Sequence, residues 1–312
     1  MSGSNVKKLI LTSAALAVMA TMPYVLSRFY LYFLGSILVM GLLATSLNMV
    51  LGYGGMYQFH HAVFYGTGAY AFALGLTKGG WPFWLAFLSA PVVASILGLI
   101  MGLICVRLSK LYFGMLQISL GSLVWALVYR WYSFTGGDDG IHGIEMPPFL
   151  AKESAIYYFI LVVFAVSMFI MFRVVNSPFG KIFQAIRDNP VRSEAIGVNV
   201  ARQQIIGLVI AAFFAGIAGA LYVVVENTAS PDMLFWNLSM EILIMCLLGG
   251  WFTFMGPLVG AGTMMGIRKI AGTYTEYWTL ILGVILMILI FFLPDGILGL
   301  FGRKPEAGEA AQ

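Results

Sequence analysis

The chain has 312 residues, of which 61% are apolar and only 10% carry a formal charge. A soluble globular protein has roughly 45–50% apolar and about 25% charged residues, so this chain lacks the polar side chains needed to cover a water-facing surface. Composition therefore excludes a soluble enzyme, a disordered segment and a nucleic-acid binder. It predicts an all-α integral membrane protein with a single transmembrane domain over residues 1–312.

Charge-free runs mark the membrane spans, because a helix that crosses ~30 Å of hydrocarbon needs about 20 residues with almost no charge. Such runs cover 9–27, 29–77, 79–106, 111–129, 154–172, 203–225, 242–267 and 277–294. The second run is too long for one helix, and the segment 237–272 is interrupted, so each predicts two spans. The total is about ten helices, some of them short or broken. The first run is longer than a typical signal-peptide core of roughly 7–15 residues, which favours a retained helix over a cleaved leader.

Glycines indicate where the broken spans turn, since glycine carries no steric penalty in a turn. The predicted helix breaks are Gly52, Gly54, Gly55, Gly249, Gly250, Gly256 and Pro257. Each of the two breaks is followed by a run of small residues, at 66–69 and 260–262. Two glycine-interrupted segments in corresponding halves favour an internal repeat with unwound helices near a central path. Chance resemblance between glycine-rich segments is the alternative.

Basic residues in the loops predict the orientation. One set of loops holds eleven of the 17 Lys and Arg residues and the other holds six, so the first set is expected to be cytoplasmic, with both termini. Arg268 and Lys269 do not follow this rule. The external loop, about 135–154, is polar and rich in Gly and Pro. The cytoplasmic segment, about 176–203, has apolar residues at helical spacing and predicts a two-helix element broken near Asn189 and Pro190.

The chain contains no recognisable nucleophile–base arrangement, metal site or nucleotide-binding motif. Adjacent His60 and His61 point to different sides of a regular helix and cannot both ligate one metal. Polar groups inside the membrane are functional candidates because they are costly there. The candidates for a translocation path are Tyr53, Gln58, His60 and Glu241, with helix capping as the structural alternative for Glu241.

Several stretches in the expected order resemble one family, the LivM-type permease subunits of ABC importers for branched-chain amino acids. The resemblance lies in 47–55 with 61–70, in the external 135–140, in 179–180, 185–189 and 194–198, in 241–257, and in 294–299. The family implies a homologous LivH-type permease, two cytoplasmic ABC ATPases and a periplasmic substrate-binding protein as partners. It also implies a bacterial inner-membrane location. ATP and Mg would be bound by the ATPases, with no cofactor in this chain.

The resemblance also implies which residues couple the permease to an ATPase. They are Phe179, Gly180, Phe183, Arg187, Asp188, Asn189, Glu194, Ala195 and Gly197. A helical knob bearing Phe183, Arg187 and Glu194 is expected to insert into an ATPase cleft. The expected solutes are branched-chain or other hydrophobic amino acids. The bulky stretch 56–60 departs from the family pattern, which leaves urea, amides or aromatic acids as alternatives, followed by an ion-coupled carrier and a membrane-embedded enzyme.

Overall fold

The computed structural model describes residues 19–108, 110–274, 277, 280, 283–285, 287 and 296–301. Long helices dominate these residues, and no β-strand occurs among them. The helices are α1 (Arg28–Asn48, continued by a π-helical turn Met49–Tyr53), α2 (Ala62–Thr77), α3 (Phe83–Cys105), α4 (Lys110–Arg130), α5 (Glu153–Val175), α6 (Pro178–Asp188), α7 (Pro190–Ala195), α8 (Val200–Glu226), α9 (Trp236–Gly249) and α10 (Gly256–Tyr274). Single turns of helix cover Tyr132–Thr135, Pro148–Leu150, Pro231–Leu234 and Leu298–Phe301.

The predicted fold class, all-α with short and broken spans, is confirmed. Helices long and apolar enough to cross a membrane cover Arg28–Tyr53, Phe83–Cys105, Leu111–Arg130, Glu153–Val175 and Val200–Glu226, and α2 and α9 are shorter apolar helices. Residues 19–25 are helical and belong to the predicted first span, which otherwise lies outside the described residues. Most of the predicted last span also lies outside them. The internal repeat stays a prediction.

Helix α8 forms the centre of the bundle and packs against α3, α2 and α1. Small residues allow this, because helices in a membrane associate through close van der Waals contact rather than through hydrophobic burial. A Cβ at Gly219 would lie 2.0 Å from the carbonyl oxygen of Tyr65 in α2, and one at Gly68 would lie 2.5 Å from the Cα of Gly216. The backbones of α2 and α8 are therefore in direct contact.

Helices α9 and α10 form a hairpin of the same kind. A Cβ at Gly249 would lie 1.7 Å from the carbonyl oxygen of Gly256, and one at Gly260 would lie 1.8 Å from that of Met245. Gly250, with φ 108°, ends α9, and α10 begins at Gly256. Glycine is required at this turn because L side chains rarely adopt a positive φ.

The contacts between loops define two ends of the bundle. At the coupling end lie the turn Gly54–Gly55, the helices α6 and α7, the turn 250–255 and the segment 296–301. At the opposite end, called the cavity end because a cavity opens there between α1, α8, α9 and α10, lie the start of α1, the loop 136–147 and the turn 227–235. The loop and the turn pair through the backbones of Ile141 and Ala229. The loop expected outside and the segment expected inside therefore lie at opposite ends.

The α9–α10 hairpin generates the first prediction. Gly260→Ala places a methyl group against a backbone carbonyl that cannot move without separating the helices, so we expect a loss of about 1–3 kcal/mol in stability. Gly266→Ala on the same helix is the matched control, because nothing lies within 4 Å of a Cβ at that position. Thermal unfolding in detergent measures both variants. Equal midpoints for the two would contradict the packing described.

Candidate functional site

A cavity of about 800 Å³ opens at the cavity end, between α1, α8, α9 and α10. Its lining combines methionines with charged groups. The apolar lining includes Phe33, Met40, Met233, Met245, Met264 and Met265. The polar lining includes Tyr32, Tyr222, Glu226, Asp232, Glu241, Arg268 and Lys269. The cavity therefore offers both signs of charge beside a flexible apolar wall, since methionine adapts its shape to different ligands.

The charged groups around this cavity hold one another in place. Arg268 Nη1 lies 3.6 Å from Glu241 Oε2, and the Tyr32 hydroxyl donates a hydrogen bond to the Glu226 carboxylate. The Lys269 ammonium lies 4.5 Å from the centre of the Phe29 ring, a cation–π distance. Pairing of this kind lowers the cost of placing charges next to hydrocarbon. It explains why Arg268 and Lys269 are tolerated beside the apolar lining of the cavity.

The loop 136–147 is fastened beside the cavity. The backbone N–H groups of Ile141 and Ala229 donate to each other's carbonyl oxygens at 2.8 Å, and Ile144 N donates to Asn227 O at 3.2 Å. The Tyr132 hydroxyl, in the helical turn that precedes the loop, donates to Asp139 of the loop at 2.6 Å, and this hydrogen bond raises the pKa of Tyr132. Because Ser230 and Asp232 follow the paired residues and line the cavity, the loop position and the cavity shape are linked.

Two segments outside the α-helices, one irregular and one a single 3-10 turn, reach into the bundle. The segment 54–61 leaves the coupling end and ends at α2, where Ala62 N donates to Ser239 Oγ in the first turn of α9 at 2.9 Å. The turn Pro231–Leu234 enters from the cavity end, and a Cβ at Gly66 in α2 would lie 2.4 Å from the Leu234 side chain. With 16 and 14 residues, α2 and α9 are only about 24 and 21 Å long. Backbone of this kind is tolerated in a membrane where protein surrounds it or where it lines a cavity.

Helix α4 receives the segment 54–61 on a glycine face. The Phe59 ring packs on Gly114, and the His60 ring lies so close to Gly121 that a Cβ there would be 1.5 Å from Nδ1. Gln117 lies between these glycines on the helix and is fully buried. The side-chain amides of Gln58 and Gln117 make no hydrogen bond to another described residue, whereas the His60 imidazole lies at hydrogen-bonding distance from the backbone of Leu234. Gln58 and Gln117 therefore place polar groups without a described partner inside the bundle.

The predicted path residues therefore lie in three places. Glu241 lines the cavity, whereas Gln58 and His60 are buried between the segment 54–61 and α4. Tyr53 is half-buried at the end of the π-helical turn. His61 points away from His60 and lies with its Nε2 at 2.8 Å from Ser46 Oγ. These residues are not brought together into one site, and they are spread along the bundle between its two ends.

Helix α6, the first half of the predicted coupling segment, is anchored to the membrane helices. Its apolar face buries Phe183, which is 3% exposed and lies between Gly54 and Gly207. Phe179 stacks on Phe183 at 5.6 Å. Gly180 packs on the end of α5, where a Cβ would lie 2.1 Å from Val175 O.

Helix α7, the second half, is exposed. Val191 is 73% exposed and Ile196 is 76% exposed, and Glu194 and Ala195 beside them also face solvent. The Asn189 side chain caps α7 by accepting from Arg192 N at 2.9 Å, with Pro190 in the first turn. Gly197 ends the tip with φ 91° and has open space around it.

This geometry revises the expectation that Phe183 and Arg187 enter an ATPase cleft. Phe183 is covered by the bundle, and Arg187 Nη1 donates to the carbonyl oxygen of Gly52 at 2.8 Å. Both side chains contact other parts of this chain, because the face of α6 that carries them lies against the end of α1. The exposed tip is formed instead by Val191, Glu194 and Ile196, of which only Glu194 was expected there.

Sequence reasoning does not identify Tyr32, Asp232 and Arg268, which line the cavity. It also does not identify Gln117, which is buried on the face of α4 that receives the segment 54–61. One signal was present, since Arg268 and Lys269 disagreed with the charge rule for external loops. Among the described residues, no group of three or more His, Cys, Asp or Glu side chains is placed to hold a metal ion.

Residues 29–291 match a family model described as branched-chain amino acid transport system / permease component. The chain belongs to this family. It is a multi-pass membrane protein and a permease component of a transport system, and the resemblance to LivM-type permeases is confirmed.

Two curated relatives carry the name high-affinity branched-chain amino acid transport system permease protein LivM, from Salmonella typhimurium and Escherichia coli. Each is 25% identical to this chain, and the aligned region covers 95% of this chain and 76% of the relative. A guanosine ABC transporter permease, NupQ of Bacillus subtilis, is 29% identical over 26% of each chain. No solved structure gives a significant match.

The contact between α4 and the segment 54–61 generates the second prediction. Gly121→Ala would place a methyl group inside the volume of the His60 ring, so we expect a loss of about 1–3 kcal/mol in thermal stability. Ser119→Ala, at an exposed position on the same helix, is the control. Adding His60→Ala should recover most of the loss caused by Gly121→Ala. A double variant that is less stable than both single variants would argue against direct contact.

Proposed function

We propose that this chain is a transmembrane permease subunit of an ATP-driven ABC importer for branched-chain or other hydrophobic amino acids, and that it forms half of the translocation path. The family match and the names of the two LivM relatives support this assignment. One observation carries it furthest. A cavity of solute size and mixed charge lies at one end of the bundle, and an exposed docking tip lies at the other.

The proposed location is the bacterial inner membrane, with the coupling end and both termini on the cytoplasmic side. The charge pattern supports this orientation. The coupling segment carries Lys181, Arg187, Arg192 and Arg202, whereas acidic residues such as Glu226 and Asp232 lie at the cavity end. The cavity would then open toward the periplasm, where a binding protein delivers solute.

The proposed partners are a homologous LivH-type permease, two cytoplasmic ABC ATPases and a periplasmic substrate-binding protein. ATP and Mg would bind to the ATPases, and this chain would hold no cofactor. The tip at Val191, Glu194 and Ile196 has the composition of a docking element, with apolar side chains beside charged ones. Closure of the ATPases would then rock the helices between inward- and outward-open states.

The solute class follows from the chemistry of the cavity. An amino acid zwitterion needs a cation for its carboxylate and an acid for its ammonium group, and Arg268 and Glu241 supply both beside one another. The methionines offer an adaptable surface to a branched side chain. Urea, amides and aromatic acids are the alternative solutes, and a nucleoside is suggested by the short match to the guanosine permease.

The assignment is tested by uptake into proteoliposomes that contain both permeases and the ATPases, with the binding protein added outside. We expect ATP-dependent uptake of leucine, isoleucine or valine that collapse of the proton and sodium gradients does not abolish. Urea, benzoate and guanosine serve as competing solutes. Transport by the purified chain without its ATPases would refute the proposal and favour an ion-coupled carrier.

The cavity is tested in the same assay with Arg268→Gln. The loss of one charge-assisted interaction with the solute should lower uptake at subsaturating solute by about tenfold. Lys152→Gln, an exposed basic residue at the same end, is the control and should leave uptake unchanged. Normal uptake by Arg268→Gln would remove the cavity from the path without touching the ATPase assignment.

The docking tip is tested with Val191→Asp and Ile196→Asp combined. Burying two new carboxylates at an interface is unfavourable, so we expect the ATPases to dissociate from the purified complex while membrane insertion is unaffected. Leu108→Asp is the matched control. Leu108 is also an exposed apolar residue, but it lies in the turn between α3 and α4 and not in the docking tip. Co-purification measures the outcome. Retention of both ATPases by the double variant would show that they bind elsewhere.

A further inference from the structure

Both predicted glycine breaks meet at one place, here called the glycine junction, formed by residues 52–55 and 249–253. A Cβ at Gly52 would lie 2.2 Å from the carbonyl oxygen of Trp251, and Asn48 Nδ2 donates to Thr253 O at 3.2 Å. The ends of α1 and α9 are 197 residues apart in sequence, counted from Gly52 to Gly249. They nevertheless touch backbone to backbone.

Arg187 of α6 binds both sides of this junction. Its Nη1 donates to Gly52 O at 2.8 Å, and its guanidinium lies 5.5 Å from the centre of the Phe252 ring. Asp188 holds the guanidinium from its other edge, with Nε and Nη2 at 3.0 and 2.9 Å from Asp188 Oδ1. One planar group therefore bridges the first break, the second break and its own helix.

The charge of Arg187 suits this position. The last carbonyl groups of a helix have no partner within the helix and carry partial negative charge, so a cation is favourable beside them. Gly52 lies in the final π-helical turn that ends α1. Arginine also differs from lysine here, because only the planar fork donates in two directions while its face covers an aromatic ring.

Phe183, one turn before Arg187, makes the contact rigid. Its ring lies between Gly54 and Gly207, where a Cβ would come within 2.3 and 2.5 Å of ring atoms. The backbone and stem of Arg187 fill the space beside Gly55 in the same way, with a Cβ there 2.6 Å from Arg187 Cγ. A displacement of α6 therefore cannot leave the end of α1 in place.

We propose that Arg187 is a positioning residue that ties both glycine breaks to α6, so that a movement of α6 displaces the two broken spans together. The source of that movement, an ATPase docked on α7, rests on the proposed function above. The mechanical tie itself does not, since it is made by contacts within this chain.

The tie is tested first on the purified chain in lipid nanodiscs, by hydrogen–deuterium exchange. In Arg187→Gln, the amides of 54–58 and of 250–253 should both exchange about tenfold faster, because one charge-assisted hydrogen bond and its ring contact are lost. Arg173→Gln, at an exposed arginine of the coupling end, is the matched control and should exchange like the original protein. Faster exchange at only one break, or at neither, would overturn the proposal.

Arg187→Lys covers the case in which Arg187→Gln fails to fold. Lysine keeps the charge but cannot reach Gly52 and Asp188 while covering Phe252, so both breaks should again exchange faster, by a smaller factor. Exchange identical to the original protein in Arg187→Lys would show that charge alone suffices and that the tie through the planar group is incorrect.

A second readout separates positioning from docking. In the reconstituted importer, Arg187→Gln should retain both ATPases and most ATP hydrolysis but transport at least several-fold fewer solute molecules per ATP. The loss of ATPase binding would instead make Arg187 a docking residue and overturn the proposal. If the original complex transports no amino acid, the proposed function fails, and the exchange experiment still decides whether the breaks are tied.

Discussion

The fold depends on one constraint, that backbone groups within or beside a membrane need partners inside the protein. Two broken helices end at the glycine junction, and each leaves carbonyl groups that its own helix cannot satisfy. The structure resolves this by placing the breaks against each other. Arg187 donates to Gly52 O, Asn48 donates to Thr253 O, and the backbone N–H of Ile297 donates to Leu248 O at 2.9 Å. Glycine is needed because side chains would hold these backbones apart.

The same constraint explains why α2 and α9 are short. Each gives up part of its span to a segment outside the α-helix, and the first turns of the two helices meet where Ala62 N donates to Ser239 Oγ. The segment before α2 places the Gln58 amide and the His60 imidazole deep in the bundle, beside Gln117 of the regular helix α4. Broken helices thus supply the polarity that an apolar bundle lacks.

Local features of the chain were readable from the sequence. The charge-free runs 79–106, 111–129, 154–172 and 203–225 correspond to α3, α4, α5 and α8 within a few residues, because charge is expensive in hydrocarbon wherever it occurs. Long-range pairings were not readable in this way. Nothing near Arg187 reveals an acceptor 135 residues earlier, and nothing near Arg268 reveals Glu241. Helical periodicity identifies the apolar face of α6 but not the surface that covers it, so the sequence alone predicts that Phe183 contacts a partner, whereas its ring lies between Gly54 and Gly207.

The two helices of the coupling segment differ in their contacts. Helix α6 is fixed to the bundle, whereas α7 carries the exposed tip. A flexible tether could bind an ATPase but would absorb its movement. Helix α6 is not a flexible tether, because Phe183 and Arg187 are held against α1 and α8. Asn189, the next residue after α6, caps α7. With an ATPase docked on α7 as proposed, force applied at Val191 or Ile196 would reach the end of α1 through one capped helix turn and one buried ring. The proline at position 190 adds stiffness at the joint, because it fixes φ where the two helices meet.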